Sequence, residues 1–215
     1  MFALAANAQI VTSTSQEIKT TYTQPQPQVN TKLRYVRAGF NVNTVTGEDV
    51  KEASAKPGYD VSLGFQKPLA NVPFLYWGME YGLTSRGFTA EAGIFGKYDY
   101  KYAQHGLKYV PFQIGYNRDF GKVSIDPHIG VCLNFWYYGF AKQEYNGNSA
   151  THSQYDWKDT DFCTWFSVYM PIGFGIWLNK RFNLDYTCEI AFTKIANADS
   201  KVRHLNHGIR LGMAF

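Results

Sequence analysis

The chain has 215 residues, with 21 Lys and Arg against 17 Asp and Glu and only 18% charged residues. The net charge of +4 is spread out with no Lys/Arg run, so a nucleic-acid footprint is not suggested. The most apolar stretch, Val168–Leu178, is too short for a membrane-spanning helix and is broken by Pro171, Gly173 and Gly175.

In chain order, "MFALAANAQ" comes first. Its small-x-small Ala6-Asn7-Ala8 has the form of a signal-peptidase site, although a basic n-region and a full h-region are missing. Residues 1–8 are therefore expected to be the remnant of an export signal. Residues 9–32 are rich in Thr, Ser and Gln, include "QPQPQ", and have no periodicity, which predicts a flexible arm.

From Leu33 to the end the apolar period is two, the mark of strands with two unlike faces. Val36, Ala38, Phe40 and Val42 oppose Arg37, Gly39 and Asn41. Val61, Leu63 and Phe65 oppose Asp60, Ser62, Gly64 and Gln66. Trp77, Met79, Tyr81 and Leu83 oppose Gly78, Glu80, Gly82 and Arg86. Val110, Phe112, Ile114 and Tyr116 are set against Pro111, Gln113 and Gly115. Ile125, Ile129, Val131 and Leu133 oppose Asp126, His128, Gly130 and Asn134. The stretch 166–178 continues the rule. Leu184, Tyr186, Cys188 and Ile190 oppose Asp185, Thr187 and Glu189, and Ile209, Leu211 and Met213 oppose Arg210 and Gly212.

Short links are expected at 67–73, 117–122 and 179–181, and long polar links at 44–56, 89–106, 139–161 and 194–203. That alternation describes antiparallel neighbours with tight turns at one end and long loops at the other. Cys132, Cys163 and Cys188 are odd in number and dispersed, and give neither a disulfide framework nor a metal-ligand set.

Two placements satisfy the alternation. In a soluble sandwich or lipocalin-like barrel the apolar face is the core; in a membrane barrel it meets lipid and the polar face fills the lumen. The polar face favours the second. It is rich in Gly, which weakens a water-exposed strand but leaves room for long side chains inside a narrow tube. Its charges also look paired: Arg37, Arg86 and Arg210 against Glu80, Asp126, Asp185 and Glu189. On the apolar face Trp77, Tyr81, Tyr116, Tyr137 and Tyr186 are candidates for interfacial belts. A mean hydropathy of −0.31 is compatible with this, because only every second residue of a spanning strand must be apolar.

On "MEYGLTSRGFTA" (79–90), "LKYVPFQIGYN" (107–117) and the terminal "GIRLGMAF", the chain resembles the small Gram-negative outer-membrane β-barrel proteins ("porin family", OmpA/OmpX-like). The resemblance covers residues 33–215. It implies an all-β, antiparallel, up-and-down transmembrane barrel of about eight strands in the outer membrane, with the last strand pairing with the first. It further implies that the terminal aromatic, Phe215, is the signal read by the barrel-assembly machinery. The fold hosts many functions, so the resemblance carries architecture rather than activity.

Lumen charges in a barrel of this size either line an ion path or fill the interior, and filling is the expectation. His128 shares a face with Asp126 and reads as a satisfied lumen histidine. Some outer-membrane barrels are lipid A hydrolases with a late-strand His-x-Ser. Here "RHLNHG" supplies His204 and Asn206, with Asn where the Ser would stand, so the nucleophile is missing. No phosphate-cradling Gly loop, HExxH or GxSxG occurs, and no catalytic residue, metal site or cofactor is expected. The Tyr-, Asn-, Ser- and Gly-rich links at 89–106 and 139–161 are either solvated loops or recognition surfaces for a protein or glycan. The expectation is a non-enzymatic outer-membrane surface protein with a structural or loop-mediated binding role and outer-membrane lipid as its surroundings. A narrow passive pore is the alternative, and a soluble secreted lipocalin-like binder comes third.

Overall fold

A computed structural model describes residues 32–47, 52–70, 72, 74–92, 98–145, 148–153, 164–194 and 202–215. The proposed signal remnant and nearly all of the proposed arm lie outside the described residues, as does Cys163.

Eight long strands close on themselves: β1 (Leu33–Thr46), β2 (Glu52–Pro68), β3 (Leu75–Ala92), β4 (Tyr98–Tyr116), β6 (Val123–Tyr145), β8 (Phe166–Leu178), β9 (Phe182–Ala191) and β10 (Arg203–Ala214). Two short strands, β5 (Arg118–Phe120) and β7 (Asn148–Ser153), pair along β6. Every pairing is antiparallel, and β1 against β10 closes the cylinder from Tyr35↔Ala214 to Thr46↔Arg203. The closure leaves none of the eight with a free edge, which is what a strand-built protein needs in lipid.

The faces are inverted relative to a water-soluble barrel. Inward positions of β1 are Tyr35, Arg37, Asn41 and Asn43, each at most 1% exposed, while outward Phe40 is 78% exposed. Val61, Leu63, Leu107, Ile114, Ile129, Val131, Leu184, Ile190, Ile209 and Leu211 are likewise exposed on the outer wall. A soluble protein does not leave so extensive an apolar belt in water. A lipocalin-like binder requires the opposite arrangement, with the apolar face inside. The belt aromatics Tyr81, Tyr137 and Tyr186 are exposed on this outer wall as expected.

The tight turns follow from local chemistry. Asn179 and Lys180 both take positive φ (53° and 56°), the two-residue geometry whose twist matches the flanking strands. The Arg181 amide donates to the Leu178 carbonyl at 3.0 Å.

Two expectations are corrected. Val110 is not on the lipid side: it is 2% exposed and packs inward with Cys132, Trp136, Tyr169 and Ala191. The ladder shifts between Gly78↔Gln113 and Glu80↔Val110, so β4 uses three residues where β3 uses two. Pro111 has no N–H to give the ladder and sits in this bulge, and the extra residue reverses the parity. The expected long links are also shorter than read. Strand β3 runs to Ala92 and β4 starts at Tyr98, while β6 runs for 23 residues to Tyr145 and folds back as β7. A transmembrane strand needs only about 9–11 residues, so one side of the barrel wall continues well beyond the membrane as paired sheet. The opposite side is lower, with 10 residues in β9 and 12 in β10.

Candidate functional site: the charged lumen

Because side chains alternate, each strand delivers every second residue to the lumen. Facing strands then bring together residues far apart in sequence. The seven charges singled out above all point inward and are 0–3% exposed. They fall into two buried groups of alternating sign. Asp126 lies 3.9 Å from Arg37 Nη2, and Arg37 Nη1 donates to Glu80 at 2.6 Å. Asp185 is 3.6 Å from Arg37 and 2.6 Å from Arg210, which also reaches Glu80 at 2.9 Å. Glu189 and Arg86 form a buried pair at the far end.

Two members were not singled out in the sequence. Asp60 lies 3.3 Å from Arg210 and 2.7 Å from Lys108, and Lys108 reaches Glu189 at 3.0 Å. These two residues join the Arg37–Arg210 half to the Arg86–Glu189 half. The available signal was parity: Asp60 alternates with Tyr59 and Val61, and Lys108 with Leu107 and Tyr109. Five carboxylates thus meet Arg37, Arg86, Lys108 and Arg210, with the His128 ring 3.7 Å from Asp126 and 3.6 Å from Asp185.

Large rings also fill the lumen. Tyr35, Tyr76, Trp136, Tyr169 and Trp177 are each at most 2% exposed. They act as both packing and polar partners. Tyr76 donates to Asp126 at 2.5 Å, Trp177 Nε1 donates to the same carboxylate at 3.0 Å, and Gln66 adds a third donor at 2.9 Å. The Arg37 guanidinium lies over Tyr35 at 4.3 Å, and that of Arg86 over Tyr169 at 4.0 Å. Both distances are within cation–π range.

Two lumen glycines explain how such rings fit. A Cβ at Gly115 would overlap the Tyr76 ring and hydroxyl, and one at Gly173 would overlap the His128 ring. Gly115→Val is therefore expected to push Tyr76 away from Asp126 and to destabilise the barrel by about 1–3 kcal/mol, the usual range for overpacking. Urea unfolding of the detergent-refolded protein checks this, with Ile114→Val on the outer wall as the mild comparison.

The late-strand pair is engaged by lumen partners. His204 is enclosed by Phe88 and Tyr102, at ring-centroid distances of 5.9 and 6.2 Å, and Asn206 donates to Glu189 at 2.9 Å. His128 Nδ1 is 3.0 Å from the Asp126 carbonyl. Cys132 is buried in the lumen and Cys188 lies partly exposed on the outer wall. Among the described residues no group of three or more His, Cys, Asp or Glu is placed to hold a metal. On the sheet extension, hydrogen bonding from Lys142 and the nearby Lys101 hold the Glu144 carboxyl below its ordinary range. Residues 93–97, 146–147 and 154–163, which belong to the candidate recognition links, lie outside the described residues.

No protein-family model matches the chain, and no curated protein matches it. Solved structures similar to it include Ail, the attachment invasion locus protein of Yersinia pestis, at 18% identity, covering 86% of this chain and 99% of that chain with a TM-score of 0.43. Neisserial surface protein A is 12% identical over 85% of this chain and 97% of its own, with a TM-score of 0.41. The outer membrane protein OprG of Pseudomonas aeruginosa is 13% identical over 86% and 97%, with a TM-score of 0.40.

Proposed function

We propose that this chain is a non-enzymatic outer-membrane barrel whose lumen is a structural plug and whose outer rim carries any binding role. The carrying observation is the continuous salt-bridge chain from Asp126 to Arg86, all of it buried. A conducting pore needs water beside its charged groups. Here the carboxylates and cations take one another as partners, and rings of Tyr and Trp occupy the space between them. The apolar outer belt supports lipid as the surroundings. The paired extension of β3, β4, β6 and β7 offers polar strand surface to a protein or glycan.

Planar-bilayer recording tests the plug. The refolded chain is expected to give no stepwise current at moderate voltage, and Glu80→Gln is expected to leave the trace silent. Reproducible ion-selective steps that change with Glu80→Gln would establish the narrow pore instead.

The resemblance to the porin family also makes Phe215 the proposed assembly signal. Its amide donates to the Arg34 carbonyl at 3.0 Å, extending the β1–β10 seam, and its ring is 73% exposed on the outside. Phe215→Ser is expected to lower the membrane-inserted, heat-modifiable fraction in cells while detergent refolding keeps its strand content. Equal insertion of variant and parent would remove that role.

A further inference from the structure

The short-turn end of the barrel is ringed by cations. Arg34 is the second residue of β1, Lys67 the last but one of β2, Arg118 and Lys122 flank the β5 hairpin, and Lys180 and Arg181 form and follow the β8–β9 turn; all six side chains are exposed. Every strand junction at this end therefore contributes at least one positive charge. The turns and strand ends there hold a single described acidic side chain, Asp119, and Lys180 engages it at 2.5 Å. The opposite rim is of mixed sign, with Glu144 between Lys101 and Lys142.

The position of the ring relative to the apolar belt matters as much as its charge. Several cations sit over aromatic rings at the belt's lower edge. Lys32 Nζ lies 3.9 Å from the Phe65 centroid, and the Arg118 guanidinium is 5.6 Å from Phe120 and 6.0 Å from Phe74. Arg181 lies 5.8 Å from Phe182. Phe120 and Phe182 are themselves more than half exposed. An exposed ring capped by a cation matches the boundary of a bilayer, with the ring among the acyl chains and the charge at phosphate depth. Backbone hydrogen bonds tie the mouth together: Asn179 donates to Lys122 at 2.6 Å, and Ala214 to Arg181 at 2.7 Å.

We infer that this ring binds the headgroups of anionic phospholipids in the leaflet at the short-turn end and so sets the depth of the barrel in the membrane. The inference rests on the membrane reading above. Charge complementarity selects the occupant. Among the described residues Asp119 is the one acidic side chain at these turns and strand ends, Arg34, Lys67 and Arg118 share the parity of the outward face, and the six cations are distributed over all four strand junctions at this end, as a layer of phosphates would meet them. Each cation that meets one phosphate favours the anionic lipid by about fivefold.

The test is electron spin resonance of the full chain reconstituted in phosphatidylcholine bilayers carrying trace spin-labelled phosphatidylglycerol or spin-labelled phosphatidylcholine. The expected result is preferential immobilisation of the phosphatidylglycerol label. The preference should be lost at about 1 M salt, where screening reaches about 3 Å, and lost in the R118Q/K122Q/K180Q/R181Q variant. The K101Q/K142Q variant at the other rim is expected to keep it. Equal immobilisation of both labels by the parent chain, or equal loss in both variants, overturns the inference while leaving the membrane reading intact. Immobilisation of neither label overturns the membrane reading and the inference together. The salt titration uses the unaltered chain, so the result does not depend on the variants folding.

Discussion

Arg210→Met is expected to destabilise the barrel by about 3–5 kcal/mol, the cost of breaking a buried ion network by removing one partner. Arg210 is the hub of the lumen. It meets Asp185 at 2.6 Å, Glu80 at 2.9 Å and Asp60 at 3.3 Å, and it is 3% exposed. Methionine fills much the same volume, so the loss is electrostatic rather than a cavity. Three carboxylates remain close together, with Arg37 and Lys108 left to compensate them. Urea titration in detergent micelles reads the effect, and Arg34→Met at the exposed mouth is the control, expected to shift stability by less than about 1 kcal/mol. A second variant separates charge from packing: adding Asp185→Asn to Arg210→Met removes one of the stranded charges and is expected to recover part of the loss. If Arg210→Met unfolds with the same midpoint as the parent, the lumen holds enough water to solvate these groups, and the plug reading fails.

Val131→Arg is the complementary experiment on the outer wall. Val131 is 40% exposed and pairs with Phe112 across the β4–β6 ladder, at the ninth of the 23 residues of its strand. A charge there enters the hydrocarbon core, and the expected cost is about 2–4 kcal/mol in lipid bilayers. Val61, Leu63, Met79, Ile114 and Ile190 occupy equivalent outward positions, and nitroxide labels on any of them are expected to be quenched by lipid-soluble oxygen. The same arginine at Thr46, at the outer end of β1, is expected to cost about 0–1 kcal/mol because the charge reaches the interface. A flat cost along the strand axis, or quenching only by a water-soluble reagent, would show that the apolar belt does not lie in lipid.

The period-two pattern determined the class of fold, the identity of the two faces and the approximate number of strands. This was legible because a strand's side chains alternate strictly, and because a barrel in lipid must be apolar outside and can be polar inside. The seven lumen charges were legible for the same reason: parity places Arg37, Glu80 and Arg210 on the polar face without reference to any partner. Parity is a property of one strand at a time, so it breaks wherever a bulge adds a residue. That is why Val110 faces the lumen although the alternation of its neighbours places it outside. Only the tertiary structure decided which charges meet, because register is set between strands. Asp60 on β2, Lys108 on β4 and Glu189 on β9 become one link of the chain through closure of the cylinder, across more than a hundred residues of sequence. The paired extension of β6 with β7 belongs to the same class. Whether a polar link pairs as sheet depends on the neighbour that the fold supplies.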